Sequence, residues 1–216
     1  MGKDGDEATA ATVPRVKRAA VASMLGVLAL AGSAGAAGII TGTSGADLLR
    51  GRGGPDVIRG LAGDDTLRGE GGSDVLDGGA GSDRVFGDSG DDRLFAGRQG
   101  GWNDQLYGGS GNDVLVSLGG GVVELIGGPG DDILRGGPST RKPLRISNDR
   151  FSAGPGDDKI YGVDFLLGDA WIGDACGPGF DVVELVGVSP RDRKQAAETV
   201  RTVSGCERAT FRRRAG

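Results

Sequence analysis

The 216-residue sequence predicts an all-β fold made by repetition of one short unit. Six consecutive nonapeptides fill residues 42–95, reading GTSGADLLR, GRGGPDVIR, GLAGDDTLR, GEGGSDVLD, GGAGSDRVF and GDSGDDRLF. Each carries glycine in its first and fourth places, aspartate in its sixth and a branched aliphatic residue in its eighth. Random glycine-rich chain does not hold three residue classes in phase over that many repeats, so the period records a structural unit. The second observation is what the glycines are not. They do not recur every third residue and only 8 prolines accompany them, which excludes a collagen triple helix. A flexible linker has no reason to phase aliphatic residues.

Each place has its own chemistry. The first-place glycines are Gly42, Gly51, Gly60, Gly69, Gly78 and Gly87, and the fourth-place glycines are Gly45, Gly54, Gly63, Gly72, Gly81 and Gly90. Glycine enters positive φ without steric cost, so each half-repeat can close a tight turn that directs backbone carbonyls inward. The sixth-place aspartates, Asp47, Asp56, Asp65, Asp74, Asp83 and Asp92, add a carboxylate to each turn. The three residues that follow, with Leu49, Ile58, Leu67, Leu76, Val85 or Leu94 pointing inward, suit a very short strand. Carbonyls and carboxylates without a soft donor select a hard cation that accepts six to eight oxygens, which is calcium rather than zinc or copper.

The pattern resembles the repeats-in-toxin (RTX), or hemolysin-type, calcium-binding nonapeptide. The resemblance implies a right-handed parallel β-roll, a β-solenoid in which two nonapeptides make one turn and repeats two apart stack. Several calcium ions would lie between stacked turns. Each would take one oxygen from each of two aspartates eighteen residues apart, with carbonyls from the turn glycines. The pairs are then Asp47 with Asp65, Asp56 with Asp74, Asp65 with Asp83, and Asp74 with Asp92. The second place departs from the pattern, with Thr43, Arg52, Leu61, Glu70 and Asp88 where the motif has glycine. Such residues leave the fourth-place turn intact and stiffen or weaken the half-sites.

Beyond residue 95 the phase loosens. AGRQGGWNDQLY puts Asp104 and Leu106 in phase only if about three residues loop out. GGSGNDVLV restores the motif with Gly108, Gly111, Asp113 and Leu115; SLGGGVVELI loses the aspartate, leaving Glu124 as the nearest carboxylate and Leu125 inward. GGPGDDILR returns with Asp132 and Leu134. The regular roll is therefore expected over 37–135, followed by a polar, basic insertion at 136–152. Degenerate repeats over 153–186 carry Asp158 and Ile160, then Asp181 and Val183. Metal sites that need Asp104, Glu124 or Asp158 rank below those of the first run.

The two ends read differently from the repeats. Arg15, Lys17 and Arg18 precede an apolar stretch from Ala19 to Ala31, and Ala34-Gly35-Ala36 follows, which is the layout of a secretory signal peptide over 1–36. The apolar run is short for a membrane span, so no stable span is expected after cleavage; an uncleaved signal anchor is the alternative. Residues 187–216 are read as a cap with a basic tail, in which Ser189 and Pro190 start a short helix. Cys176 and Cys206 are the only cysteines, and in a secreted chain an even pair reads as a disulfide worth on the order of 3 kcal/mol. Free or metal-binding thiols are the competing reading. The segment from Cys176-Gly177 through Asp181 to Cys206-Glu207 is similar to terminal segments of secreted bacterial proteins of this repeat class, which implies a capping role.

Composition narrows the function. Removing 1–36 takes away three acids (Asp4, Asp6, Glu7) and four bases (Lys3, Arg15, Lys17, Arg18), leaving 27 acids and 21 bases. That acidity argues against nucleic-acid binding despite Arg212, Arg213 and Arg214. With His 0 the chain holds neither an HExxH metal site nor a Ser-His-Asp triad, and it contains no G-x-S-x-G elbow and no phosphate-cradling loop. A non-enzymatic extracellular or cell-surface protein is expected. Stacked aspartates repel without a counterion and glycine-rich chain is costly to order, so the repeats are expected to fold on calcium. Outward Arg50, Arg59, Arg68 and Arg135 offset the aspartates, and Phe86 and Phe95 stack along a sheet. The alternative function is contact with a cell-envelope polysaccharide or another secreted protein, including service as accessory subunit to a separately encoded hydrolase.

Overall fold

The computed structural model describes residues 37–97, 103–118, 122–137, 149–164, 178–179, 181–186 and 208–212. Fifteen strands of three to eight residues follow the turns among the described residues. They are β1 (Gly38–Thr41), β2 (Leu48–Arg50), β3 (Asp56–Ala62), β4 (Thr66–Gly71) and β5 (Val75–Ala80). Next come β6 (Arg84–Ser89), β7 (Arg93–Phe95), β8 (Asn103–Ser110), β9 (Val114–Val116) and β10 (Val122–Ile126). The last are β11 (Ile133–Arg135), β12 (Arg150–Ser152), β13 (Lys159–Asp164), β14 (Val182–Val186) and β15 (Arg208–Arg212). There is no helix among the described residues, and the expected C-terminal helix, the signal peptide and both cysteines lie outside them.

From β1 to β13 successive strands alternate between two all-parallel sheets. One runs β1-β3-β5-β7-β9-β11-β13-β14-β15 and the other β12-β10-β8-β6-β4-β2. Ile58 pairs with Leu76 and Leu67 with Val85, an offset of 18, so two nonapeptides make one turn. This is the parallel β-roll that the repeat resemblance implies. The eighth-place side chains of β2 to β14 point between the sheets, and Leu49 through Val183 form a single file exposed by 3% or less. Each buried leucine contributes about 2 kcal/mol of transfer free energy, and the file is continuous because every turn adds two. Aspartate precedes the strand, aliphatic follows two residues later, and period-2 alternation puts both inside.

Irregular sequence enters between strands and, within one, as a register shift between Tyr161 and Val163 of β13. Val85 pairs with Leu106 and Leu94 with Leu115, an offset of 21, so three extra residues sit between Phe95 and Asn103, as the sequence predicts. The offset is 19 from β9 to β11 and 26 from β11 to β13. The last residues of the expected insertion belong to the roll: Phe151 of β12 is buried against Leu125 of β10. At the C-terminal end, β14 and β15 extend the nine-stranded sheet, so the expected cap contributes a strand.

Outward side chains complete the faces. Phe86 and Tyr107 stack with centroids 4.9 Å apart and planes 6° apart, and the Arg68 guanidinium lies 5.2 Å from the Phe86 centroid on the same row. Arg50 bonds Glu70 at 2.6 Å and Arg68 approaches Asp88 at 3.3 Å. These arginines are thus engaged within the roll. Arg135 lies over Tyr161 at 5.3 Å on the other sheet.

Candidate metal centre

The aspartates form two buried rows, one along each sheet's leading edge. Asp56, Asp74, Asp92, Asp113, Asp132, Asp158 and Asp181 stand at the start of strands of the nine-stranded sheet; Asp47, Asp65, Asp83 and Asp104 do so in the other, with Asp56 and Asp104 inside the first residues of β3 and β8. All are exposed by 6% or less. Nine of them are the aspartates that the repeat phase singles out as ligands, and the fold brings all nine into these rows.

A full account of their polar atoms shows what is left over. Wherever an aspartate has another one turn on, its backbone N–H donates to the Oδ1 of that neighbour. Asp47 donates to Asp65 at 2.8 Å, Asp56 to Asp74 at 2.7 Å, Asp65 to Asp83 at 2.9 Å and Asp74 to Asp92 at 2.7 Å. Both rows cross the three-residue excess after Phe95, with Asp83 to Asp104 at 3.0 Å and Asp92 to Asp113 at 2.8 Å, and the longer row goes on with Asp113 to Asp132 at 2.7 Å. Asp132 to Asp158 and Asp158 to Asp181 continue them at 2.7 and 2.9 Å. Each aspartate carbonyl accepts the N–H of the residue opening the next stacked strand, as in Thr66 to Asp47 at 2.9 Å and Arg93 to Asp74 at 2.8 Å. Asp158, ranked low from sequence, therefore has intact neighbours on both sides.

The second carboxylate oxygen is the remainder. Oδ2 of Asp65, Asp74, Asp83, Asp92, Asp113, Asp132 and Asp158 is buried and has no hydrogen-bond partner. Leaving one such group unsatisfied costs about 1–3 kcal/mol, more when it is charged. The first-place glycine explains the space these oxygens face. A Cβ on Gly69 would abut Asp74 Oδ2 and lie 2.8 Å from the Gly87 carbonyl of the next turn. Gly60, Gly87 and Gly108 repeat the arrangement with their own aspartate and the following first-place carbonyl, at Gly78 the nearest atoms are those of Asp83, and Gly42 and Gly51 have the same surroundings beside the hydrogen-bonded Oδ2 of Asp47 and Asp56. A carboxylate oxygen and a backbone carbonyl thus flank a cradle that any side chain would fill. No three Asp, Glu, His or Cys side chains converge among the described residues, so a cation here is held by few carboxylates and several carbonyls. That donor set fits calcium.

Fourth-place glycines serve stacking. A Cβ on Gly72 would meet the Gly54 carbonyl carbon at 2.5 Å, one on Gly63 would meet that of Gly45 at 2.5 Å, and Gly81, Gly90 and Gly111 abut the preceding turn's glycine carbonyl in the same way. All five have positive φ. Gly45, with no described turn before it, has nothing nearer than 3.9 Å.

Burial sets the electrostatics. Desolvation, then neighbouring carboxylates, pushes Asp74 up to about 7, Asp104 to about 7 and Asp132 to about 8. Asp83, Asp113 and Asp158 rise to about 6 for the same reasons, and Asp65 and Asp92 rise as well. Backbone N–H donation to Oδ1 opposes the rise without cancelling it. These carboxyls are held in the form that a bound cation would reverse.

Two departures from the sequence reading stand out. Val123 occupies the aspartate position of β10, facing Asp104 in register, while Glu124 points outward and accepts the Gln105 amide at 2.9 Å. One turn on, Asp149 fills the row, accepting N–H bonds from Val123 at 3.1 Å and Gly137 at 3.3 Å. It sits inside what composition marks as an insertion; the Asp149-x-Phe151 spacing is the signal that could have found it. Asp47 and Asp56 also differ: Oδ2 of Asp47 accepts Thr43 N–H at 2.6 Å, and Oδ2 of Asp56 accepts Arg52 N–H at 2.7 Å.

The family described as RTX calcium-binding nonapeptide repeat (4 copies) matches residues 41–76, 68–102, 103–122, 119–139 and 146–169, more than half of the chain. No curated protein and no solved structure matches.

Proposed function

Because the chain belongs to the RTX calcium-binding nonapeptide repeat family, we propose that this calcium-binding β-roll is a secreted, non-enzymatic protein with a structural or cell-surface role. The observation that carries the reading is the set of buried, unpartnered Oδ2 atoms from Asp65 to Asp158, which from Asp65 to Asp132 each face a first-place glycine cradle. Asp65, Asp74, Asp83, Asp92, Asp113, Asp132 and Asp158 hold the ions, with carbonyls of first-place glycines such as Gly78, Gly87 and Gly108. Bound calcium supplies the countercharge and the missing ligand for these oxygens. Without it the stacked carboxylates repel, and a core one aliphatic residue wide has little to set against that. Extracellular modules bind calcium at about 10⁻⁴ to 10⁻³ M, so weak sites of this kind fill outside a cell and stay empty within it. The basic-apolar-small pattern of residues 15–36 supports secretion, and the cysteine pair supports a disulfide-closed cap.

Calorimetric titration of the full-length chain with calcium chloride, paired with circular dichroism in calcium and in chelator, tests the reading. Several ions per chain and a calcium-dependent gain of β signal are expected. A chain that takes up no calcium overturns it.

A second reading, contact with an envelope polysaccharide, has one observation in its favour. A surface groove lined by Asp64, Thr66, Ser82, Arg84, Asn103 and Gln105 offers only hydrogen-bonding side chains beside the six-stranded sheet. The stacked Phe86 and Tyr107 cover one another's faces and give no platform for a sugar ring. Glycan-array binding that Arg84→Ala abolishes would favour this reading.

A further inference from the structure

The chain contains nine phased aspartates in intact motifs, and their Oδ2 atoms fall into two groups. In Asp47 and Asp56 the oxygen is taken by a backbone N–H four residues earlier, from Thr43 and Arg52; Thr43 Oγ1 adds a second bond to Asp47 at 2.9 Å. In Asp65, Asp74, Asp83, Asp92, Asp113, Asp132 and Asp158 the same atom is buried and has no partner. One backbone feature separates the groups. The residue in the second place of the open repeats is always left-handed: Leu61 (φ 80°), Glu70 (79°), Gly79 (105°), Asp88 (73°), Gly109 (112°), Gly128 (115°) and Gly154 (107°). Thr43 and Arg52, in the closed repeats, are not among the positive-φ residues.

The link is the peptide that joins the first and second places. Inverting a turn peptide changes the sign of φ at the residue after it, as between the common turn types. In one orientation its N–H points at the carboxylate four residues on and closes the site with a hydrogen bond. In the other the N–H turns away and Oδ2 is left to a cation. Leu61, Glu70 and Asp88 are side-chain-bearing residues in a conformation that disfavours them, and such outliers persist where the surroundings or a function hold them.

Building on the calcium reading above, we infer that the second-place peptide gates each repeat: Asp47 and Asp56 hold no calcium, and the metal sites begin at Asp65. The first described turn is metal-free, closed by its own backbone. Thr43 and Arg52 are positioning residues that occupy the carboxylate themselves. Every later repeat is open, whether glycine or a strained leucine, glutamate or aspartate stands in the second place.

Counting bound ions by equilibrium dialysis of the full-length chain against radioactive calcium tests this. Asp47→Asn and Asp56→Asn keep the wild-type number of ions, while Asp74→Asn and Asp83→Asn each lose at least one. Asparagine retains the Oδ1 acceptor, and circular dichroism in saturating calcium checks that each variant folds. Arg52→Gly supplies the converse, since it frees the peptide to invert and raises the count by one. An Asp56→Asn chain that loses an ion, or an Arg52→Gly chain with an unchanged count, overturns the inference while leaving the calcium reading intact. A wild-type chain that binds no calcium removes the calcium reading itself, and the inference with it.

Discussion

Protons should substitute for calcium in this roll, and the direction of the effect is opposite to that in most acidic proteins. An aspartate in the unfolded chain ionises near pH 3.9. Folding raises Asp83, Asp113 and Asp158 to about 6, Asp74 and Asp104 to about 7 and Asp132 to about 8, chiefly through burial. A carboxyl whose folded pKa is raised favours the folded state in acid, and that contribution is lost as pH climbs through the folded value. The metal-free roll is therefore most stable below about pH 4 and weakens steadily up to about pH 8. Each group that is protonated when folded and ionised when unfolded removes about 1.4 kcal/mol per pH unit. If only two groups behave so between pH 5 and 7, the loss is on the order of 5 kcal/mol, comparable to the whole stability of a marginal domain. Glu70, lowered by its hydrogen bond and ion pair with Arg50, works the other way but is largely solvated and contributes little. Thermal melts followed by circular dichroism in chelator should give a lower Tm at pH 8 than at pH 5. In millimolar calcium the pH 8 sample should recover, with protons released on binding. A chelated Tm that is flat or rises from pH 5 to 8 would refute the reasoning.

Three further outcomes test the fold. Gly90→Ala places a methyl on the Gly72 carbonyl at φ 126°, and should cost about 3 kcal/mol or more in urea unfolding with calcium present, whereas Gly45→Ala should fall within about 0.5 kcal/mol of wild type. Leu61→Gly relieves a left-handed leucine that is 49% exposed, and should raise stability by about 1 kcal/mol by the same assay. Leu76→Ala empties a core position that is 0% exposed and should cost about 2–5 kcal/mol, with the far-ultraviolet spectrum retained in calcium.

The repeat phase makes the roll legible because each place answers to a single local demand: aspartate and aliphatic two apart, turn glycines before them. The same logic locates the three-residue excess after Phe95, since Asp104 and Leu106 realign only with that offset. It fails where a repeat loses all but its inner pair. Asp149 and Phe151 keep their spacing, yet the sequence before them holds no phased glycine and the offset to β10 in register is 26, so a period of nine cannot find them. Glu124 misleads for a related reason, because a carboxylate one residue out of phase points to the opposite face of the strand. Conformation within a shared motif is beyond such a reading: Arg52 and Glu70 both break the second-place glycine, and only the backbone separates a closed carboxylate from an open one.

The invariance of the fourth-place glycine takes on a different meaning once the turns are stacked. Read along the chain, it looks like a requirement of each turn by itself. In the structure, Gly63, Gly72, Gly81 and Gly90 are each pressed against the glycine carbonyl of the turn before, and that neighbour is what excludes a side chain. Gly45 has no such neighbour among the described residues, is not among the positive-φ residues and shares its turn with the closed carboxylate of Asp47. Stacking and site opening therefore coincide: the turns that rest on a preceding turn are those with left-handed residues in both places and a free Oδ2. If docking onto the turn beneath is what holds Leu61, Glu70 and Asp88 in their strained conformation, the roll makes its metal sites as it grows, one turn behind its own leading edge.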